Sequence, residues 1–181
     1  MSNDQYFQDK SILIIDQSDK TTNDRTWCFW SQQTAFIDNC VSHQWPKVQF
    51  KAPGFNKVEV VEPFKYKMVH SADFYQYAKD IIHQSNNITW LQDKVEKIEQ
   101  QKSFAVVRTT SQQFESSQVF NSILFDETYR QQSTYAVINQ HFVGWFIKAT
   151  SDSFNPDVAT FMDFDIPQKS NTRFMYVLPT S

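Results

Sequence analysis

The hydrophobic positions near the start of the chain form one short, continuous run. Residues 12–16 read ILIID, four aliphatic residues followed by an acid. Such a run is typical of a strand buried on both faces, as in a parallel sheet. We therefore predict a buried parallel strand here. A polar loop over residues 17–25 follows it and leads to an aromatic group, Trp27, Phe29 and Trp30.

The next part of the chain predicts a hairpin or meander and then one helix. Short β-like segments at residues 47–51, 57–61 and 65–69 are separated by prolines and a Pro-Gly pair. Ser71 is a suitable N-cap for a helix to about Gln84, because apolar residues recur at helical spacing after it.

From residue 88 onward the pattern predicts mostly strands. The candidate strands are residues 88–91, 95–99, 104–109, 118–125, 136–149, 159–165 and 173–178. In the last of them, Phe174, Tyr176 and Leu178 share one face by the two-residue period of a strand.

Composition excludes several kinds of site. The 181 residues include only 2 glycines, Gly54 and Gly144, where average usage of about 7% would give roughly 13. A P-loop or a dinucleotide fingerprint needs closely spaced glycines, so these residues cannot form either. The net charge of -3 and the lack of a basic stripe argue against a nucleic-acid partner. Cys28 and Cys40 have neither a CxxC spacing nor clustered histidines, so we predict no metal site.

The apolar segments are too short for a membrane span. The longest runs are residues 12–15 and 143–147, and the polar start of the chain does not resemble a signal peptide. We expect a cytoplasmic protein that is peripheral to a membrane at most.

Both ends of the chain indicate a fragment. A buried parallel strand needs neighbours on both sides, and only polar residues precede residue 11. In a dinucleotide-binding βαβ unit, the acid that ends the second strand follows the glycine motif by about 20 residues, which would place that motif before Met1. At the other end, the chain stops at Thr180 and Ser181, directly after an apolar strand and Pro179. We therefore expect truncation at both ends.

Four stretches stand out by their order and spacing. They are NDRTWCFW at 23–30, QHFVGWFI at 140–147, FNP with ATFMDF at 154–156 and 159–164, and FMYVLP at 174–179. Together they resemble the flavin-dependent lycopene cyclase family, of the bacterial type that converts lycopene to β-carotene. Two features of that family are absent: its glycine motif, and an acidic segment thought to hold the catalytic acid. They would fall before Met1 and after Ser181.

The resemblance implies an α/β fold. Part of an FAD/NAD(P)-binding Rossmann-like domain would be joined to a mixed β-sheet substrate domain. We assign residues 1–45 and 86–130 to the FAD-binding part, and residues 46–85 and 131–181 to the substrate part.

The resemblance also implies a reaction. Cyclisation of lycopene needs a proton delivered to a terminal double bond, ring closure through a carbocation, and loss of a ring proton. The reaction is redox-neutral; reduced FAD is expected to stabilise the cation, and NADH or NADPH to reduce the flavin. Because the carotenoid is dissolved in lipid, peripheral membrane contact is expected. The chain by itself is expected to be inactive.

Two residues are candidates for cofactor contacts, with an ordinary strand-to-loop acid as the alternative for Asp16 and a solvated charge for Arg25. Asp16 matches the strand-end acid that would bind the adenosine ribose. Arg25, in the loop that follows, is placed to reach the flavin.

Four further residues match substrate contacts. Trp27 and Trp30 would line the flavin or polyene cavity, where π-faces stabilise a cation, with plain core packing as the alternative. His141 and Trp145, on either side of Gly144, would contact the polyene. The catalytic residue is unknown within this chain.

Asp163 and Asp165 share a strand face by the period of two, and a solvated face is favoured there over a general acid pair.

Two other functions stay open. A related flavin monooxygenase would share the strand-end acid and the mixed sheet, although residues 23–30 and 174–179 argue against it. A non-catalytic relic, or a module that binds an apolar ligand, would have kept the scaffold and lost the chemistry. Such a module should fold without FAD.

The fragment hypothesis predicts the genomic DNA that flanks the codons for this chain. We expect in-frame codons upstream of Met1 to encode G-x-G-x-x-G, and those after Ser181 to encode a Glu-acid-Thr segment. Sequencing both flanks tests this. Stop codons or a shifted frame on both sides would instead favour the non-catalytic relic.

Overall fold

The computed structural model describes residues 4–32, 36–149 and 153–180, and the chain divides into two compact units. The first unit comprises Met1–Asp19 and Asn86–Lys148, and the second comprises Lys20–Ser85 and Ala149–Ser181. The sequence analysis drew its boundaries after residues 45, 85 and 130, and the boundary after residue 85 coincides with that between the units. The assignment of one part of the chain to FAD binding and the other to substrate binding stays a prediction.

The first unit contains two small sheets. Strands β1 (Ile12–Asp16) and β7 (Ile88–Gln92) pair in parallel, with Ile12 opposite Ile88 and Asp16 opposite Gln92. The predicted parallel strand is thus confirmed. Its predicted burial on both faces is wrong, because Leu13 is exposed and its neighbours are only half-buried.

The second sheet of this unit is antiparallel, and its core lies on its central strand. Strand β9 (Ala105–Thr109) lies between β8 (Val95–Gln100) and β10 (Gln113–Ser116). Both faces of β9 are buried, since Ala105, Val106 and Val107 are all at most 7% exposed.

Two predicted strands of this unit are not observed. Residues 118–125 and 136–149 have no strand, and a single 3-10 turn, Thr128–Arg130, lies between them. Their apolar side chains are exposed; Ile138 and Phe146 are 84% and 91% accessible. An apolar pattern makes a strand only when a neighbouring backbone pairs with it. No described strand pairs with these residues.

The second unit contains a three-stranded antiparallel sheet. Strand β6 (Lys65–His70) is central, between β2 (Thr26–Ser31) and β3 (Val41–Trp45). The sequence analysis placed a strand over β6 but did not predict β2 or β3, nor β10 in the first unit.

A mixed four-stranded sheet completes the strands of the second unit. Its order is β12 (Met175–Val177), β11 (Val158–Asp163), β4 (Lys47–Ala52) and β5 (Phe55–Val60). Strands β11 and β4 are parallel, and the other pairs are antiparallel. The fold is therefore α/β with mixed sheets, and a Rossmann-like domain stays a prediction.

The predicted helix is present as α1 (Ser71–Gln84), but its N-cap was predicted wrongly. His70 is the cap residue, and its side chain makes no capping hydrogen bond. Ser71 is instead the first helical residue and is fully buried. No helix among the described residues is both long and apolar enough to span a membrane.

The core of the second unit lies between its two sheets. Trp45, Val48, Tyr66, Met68 and Ala159 are each at most 5% exposed and form one cluster. Removing such side chains from water is the main stabilising contribution, about 1.5–3 kcal/mol for each large one. The indole Nε1 of Trp45 donates a hydrogen bond to the Pro179 carbonyl at 2.8 Å, which satisfies its polar atom.

The opposite face of β6 carries a buried ion pair. The ammonium of Lys67 donates to both carboxylate oxygens of Asp38, at 2.8 and 2.7 Å. Asp38 lies in a short 3-10 helix, Phe36–Cys40. The side chains are only 8% and 12% exposed, so water stabilises neither charge well and each is stabilised mainly by the other.

Loss of Asp38 should destabilise the second unit strongly. In Asp38→Ala the Lys67 ammonium stays buried without its counter-charge, and we expect a loss of about 3–5 kcal/mol in the free energy of unfolding. Urea denaturation measures this loss. Asp80→Ala is the control, because Asp80 is an exposed residue of α1 and its removal should change stability by less than about 0.5 kcal/mol. Equal stability of the two variants would show that the pair contributes nothing.

Candidate functional site

The predicted site residues fall into both units. Asp16, His141 and Trp145 belong to the first unit, whereas Arg25, Trp27 and Trp30 belong to the second.

Asp16 ends β1 at the carboxyl edge of the parallel pair. Its Oδ1 accepts a hydrogen bond from the Ser18 backbone N–H at 2.9 Å, and its carbonyl accepts one from the Asp93 N–H at 3.0 Å. Ligands of open α/β sheets bind beyond this edge. The position is therefore suitable for a ribose-binding acid, and the half-buried carboxylate offers acceptor oxygens there.

Asp93 provides a second carboxylate at the same edge, one that sequence reasoning did not single out. Its Oδ2 accepts hydrogen bonds from the Ser111 hydroxyl at 2.5 Å and from the Ser111 N–H at 3.3 Å. These bonds, the hydroxyl foremost, lower the pKa of Asp93 to about 2. The carboxylate thereby ties the end of β7 to the turn between β9 and β10.

The octapeptide at residues 23–30 packs against the start of α1. The Ser71 hydroxyl lies 3.0 Å from Asp24 Oδ1 and 3.2 Å from Asn23 Oδ1, both acceptors. The Tyr75 hydroxyl also donates to Asp24 Oδ1 at 3.0 Å. Burial opposes ionisation of Asp24, but hydrogen bonds from Tyr75 and Ser71 outweigh it, so the pKa of Asp24 lies below its ordinary value.

Backbone hydrogen bonds complete this junction. Arg25 N–H donates to the Ser71 hydroxyl oxygen at 3.0 Å, and Ser71 N–H donates to the Arg25 carbonyl at 2.9 Å. Asn23 Oδ1 accepts a hydrogen bond from the Ala72 N–H at 3.5 Å. A residue distant in sequence thus satisfies a backbone N–H in the first turn of α1. The Arg25 guanidinium is mostly exposed and lies 3.7 Å from Asp24 Oδ2.

Trp27 and Trp30 lie on opposite faces of β2 and do not line one cavity together. Trp27 meets Phe74 and Tyr75 of α1 edge to face, with ring centroids 5.6 and 5.9 Å apart. Trp30 faces away from the helix and is 42% exposed. Odd spacing within one strand produces this separation, because side chains alternate between faces.

Trp30 belongs to an aromatic row that crosses the three-stranded sheet. It is the cross-strand partner of Tyr66, and Tyr66 is in turn the partner of Trp45. The ring centroids of Trp30 and Tyr66 are 4.4 Å apart, and those of Trp45 and Tyr66 are 6.0 Å apart. Aromatic pairs in such positions stabilise a sheet by roughly 0.2–1 kcal/mol each.

The mixed sheet adds two rings to this row. Phe161 of β11 packs 5.6 Å from both Trp30 and Tyr66, and Tyr176 of β12 lies 6.0 Å from Phe161. We call these residues, Trp30, Trp45, Tyr66, Phe161 and Tyr176, the aromatic cluster. Sequence reasoning proposed only Trp30 as a site residue. The sequence showed that Tyr176 shares a strand face with its neighbours two positions away. The pairing of Tyr66 with Trp30, however, depends on strand register.

The polar atoms in the aromatic cluster are uncharged at neutral pH. The hydroxyls of Tyr66 and Tyr176 hydrogen-bond to each other. Burial raises the pKa of Tyr66 to about 12 and that of Tyr176 well above its ordinary value. Burial also raises the pKa of the adjacent Cys28 thiol. The cluster therefore contains only aromatic rings and neutral groups, and its exposed members, Trp30 and Tyr176, suit an apolar or transiently cationic ligand.

His141 and Trp145 do not join either arrangement. They lie in the stretch without regular structure, and Trp145 is 81% exposed. Their predicted substrate contacts stay predictions. Asp163 lies 3.5 Å from the Lys51 ammonium and accepts a hydrogen bond from the Asp165 N–H at 2.9 Å. The described residues hold no group of three or more metal-ligating side chains.

The Asp93 contact predicts a measurable titration. An NMR titration should give a carboxyl pKa of about 2, and Ser111→Ala should raise it toward 3.8. Because the folded-state pKa is depressed, the stabilisation is present above the unfolded value and is lost as pH falls from about 4 toward 2. Ser103→Ala, in the other turn of the same sheet, is the control and should leave the Asp93 pKa unchanged. An equal shift in both variants would contradict the assignment.

The chain was compared with known protein families. The model of the family described as Lycopene cyclase protein matches residues 5–181, almost the entire chain. No curated protein matches the chain.

Proposed function

Because the chain belongs to the lycopene cyclase family, we propose that it takes part in carotenoid biosynthesis, in the cyclisation of lycopene to β-carotene. Apart from the family itself, the observation that carries this proposal is the aromatic cluster. It combines apolar rings, neutral hydroxyls and a partly exposed indole, Trp30.

The chemistry of the substrate explains why such a cluster is useful. Lycopene offers no polar group for recognition, so its binding must come from apolar area and shape. Protonation of a terminal double bond produces a carbocation, and loss of a ring proton after closure restores neutrality. The faces of Trp30 and Phe161 would contact the polyene and stabilise the cation through their quadrupoles.

The cofactor part of the proposal rests on Asp16. A carboxylate at the carboxyl end of a parallel strand fits the hydroxyls of an adenosine ribose. Reduced FAD, when bound, would supply negative charge near the developing cation, and NADH or NADPH would keep it reduced. Arg25, with its exposed guanidinium, is a further candidate for a flavin contact. The proton donor stays unassigned among the residues of this chain.

Lycopene binding tests the substrate part of this proposal. Lycopene is achiral, so circular dichroism in its visible absorption bands appears only when it sits in a chiral site. We expect such a signal when the purified chain is titrated with lycopene in detergent micelles. Trp30→Ala should weaken the binding at least about tenfold, since burying a large apolar side chain is worth about 1.5–3 kcal/mol.

The control is Trp90→Ala, which removes an indole from β7 in the first unit and should leave the affinity unchanged. If the wild-type chain induces no visible dichroism, the proposed function is wrong. If Trp30→Ala binds as well as the wild type, the function stands but the aromatic cluster is not its site.

A further inference from the structure

Strand β5 (Phe55–Val60) forms an open edge of the mixed sheet. It pairs with β4 on one side, and no strand of the described residues pairs with its other side. All six of its residues are exposed. An exposed edge with unpaired backbone groups is a template for pairing with another strand.

The hairpin determines which backbone groups of β5 point outward. Pro53 and Gly54 form a two-residue turn between the partners Ala52 and Phe55, and Gly54 adopts φ +74°, which suits glycine. Hydrogen-bonded and non-hydrogen-bonded pairs alternate from such a turn. Beyond the other end of β5, the Val61 N–H donates to the Pro46 carbonyl at 3.1 Å, which agrees with this alternation.

From this alternation, the N–H and C=O groups of Asn56, Val58 and Val60 point away from β4. A second strand that pairs with this edge must therefore hydrogen-bond to these three residues. In a twofold-symmetric antiparallel pair of β5 strands, each of these residues that is paired must lie opposite a residue of the same set in the other copy. Only a few symmetric registers meet that condition.

Charge selects one of these registers. When the twofold axis passes through Val58, Lys57 of each copy lies opposite Glu59 of the other, and Asn56 lies opposite Val60. When the axis passes through Lys57 or Glu59, two like charges oppose each other directly. Opposite charges in cross-strand positions are favourable and like charges unfavourable. Among these three registers, only the Val58-centred one places opposite charges of the two β5 copies against each other.

Apolar exposure favours the same arrangement. Val58 and Val60 lie on the same face of β5 and are 48% and 58% exposed. In the Val58-centred register, the two Val58 side chains meet at the axis, with Val60 of each copy nearby. Pairing would thus cover apolar area as well as the open backbone edge.

We propose that β5 binds β5 of a second copy of this chain, antiparallel about a twofold axis at Val58. The two four-stranded sheets then form one continuous sheet, with a self-complementary interface of the type common in homodimers. The proposal does not depend on the function proposed above.

A charge-exchange experiment with the full chain tests this pairing. Sedimentation velocity over a range of concentrations should show the wild type dimerising. Lys57→Glu alone and Glu59→Lys alone place like charges opposite each other twice per dimer, so each should dimerise at least about tenfold more weakly. An equimolar mixture of the two variants should dimerise again, because one copy presents two acids and the other two lysines.

The mixture separates pairing between copies from effects within one strand. Lys57 and Glu59 also form an ion pair within β5, which both single variants lose and the mixture does not restore. The double variant K57E/E59K should likewise recover the wild-type dimer. A monomeric wild type, or single variants that dimerise as well as the wild type, would overturn the proposal, as would a mixture no stronger than its components.

Val58→Pro provides a second test that does not use charge. An edge strand tolerates proline where the N–H points outward, so the chain should keep its far-ultraviolet dichroism. The dimer should be lost, because two central hydrogen bonds disappear. Dimerisation undiminished in this variant would contradict the pairing.

Discussion

The side chains of β6 alternate between two covered faces, and the second unit depends on this double burial. Tyr66 and Met68 point into the space between the sheets, whereas Lys67 and Val69 point the other way; all four are at most 6% exposed. A central strand buried on both faces must satisfy every polar atom it carries. It does so with an ion pair to Asp38 on one face and a hydroxyl pair with Tyr176 on the other.

The octapeptide at residues 23–30 positions β2 beside this central strand. Its first residues, Asn23 and Asp24, hold β2 against the buried start of α1, and Trp27 packs on the same helix. With one face of β2 held in this way, the other face presents Trp30 to Tyr66. In this stretch, the side chains of Asn23, Asp24 and Trp27 hold the strand that carries the Trp30 indole.

The hairpin of β4 and β5 links the sheet edge to the aromatic cluster. Phe50 of β4 packs 5.5 Å from Phe161, so the inner strand of the hairpin supports the rings of the cluster. The outer strand has exposed side chains throughout and carries its two charges on alternate positions. The same hairpin therefore supports an apolar interior on one side and a charged edge on the other, a division that follows from strand order.

Local patterns were enough to predict the parallel strand, the hairpin, the helix and most of the strands after residue 88, because periodicity and turn residues act over a few positions. The resemblance in the four stretches was enough to identify the family, which the match over residues 5–181 confirms. Residues 118–125 and 136–149 were predicted wrongly as strands, since an apolar pattern cannot show whether a partner strand exists. The pairing of Trp30 with Tyr66 and the role of Ser71 as a buried junction were decided by tertiary structure. Each depends on register or contact between residues far apart in the sequence, Trp30 with Tyr66 and Ser71 with Asp24, and no short-range pattern encodes such contacts.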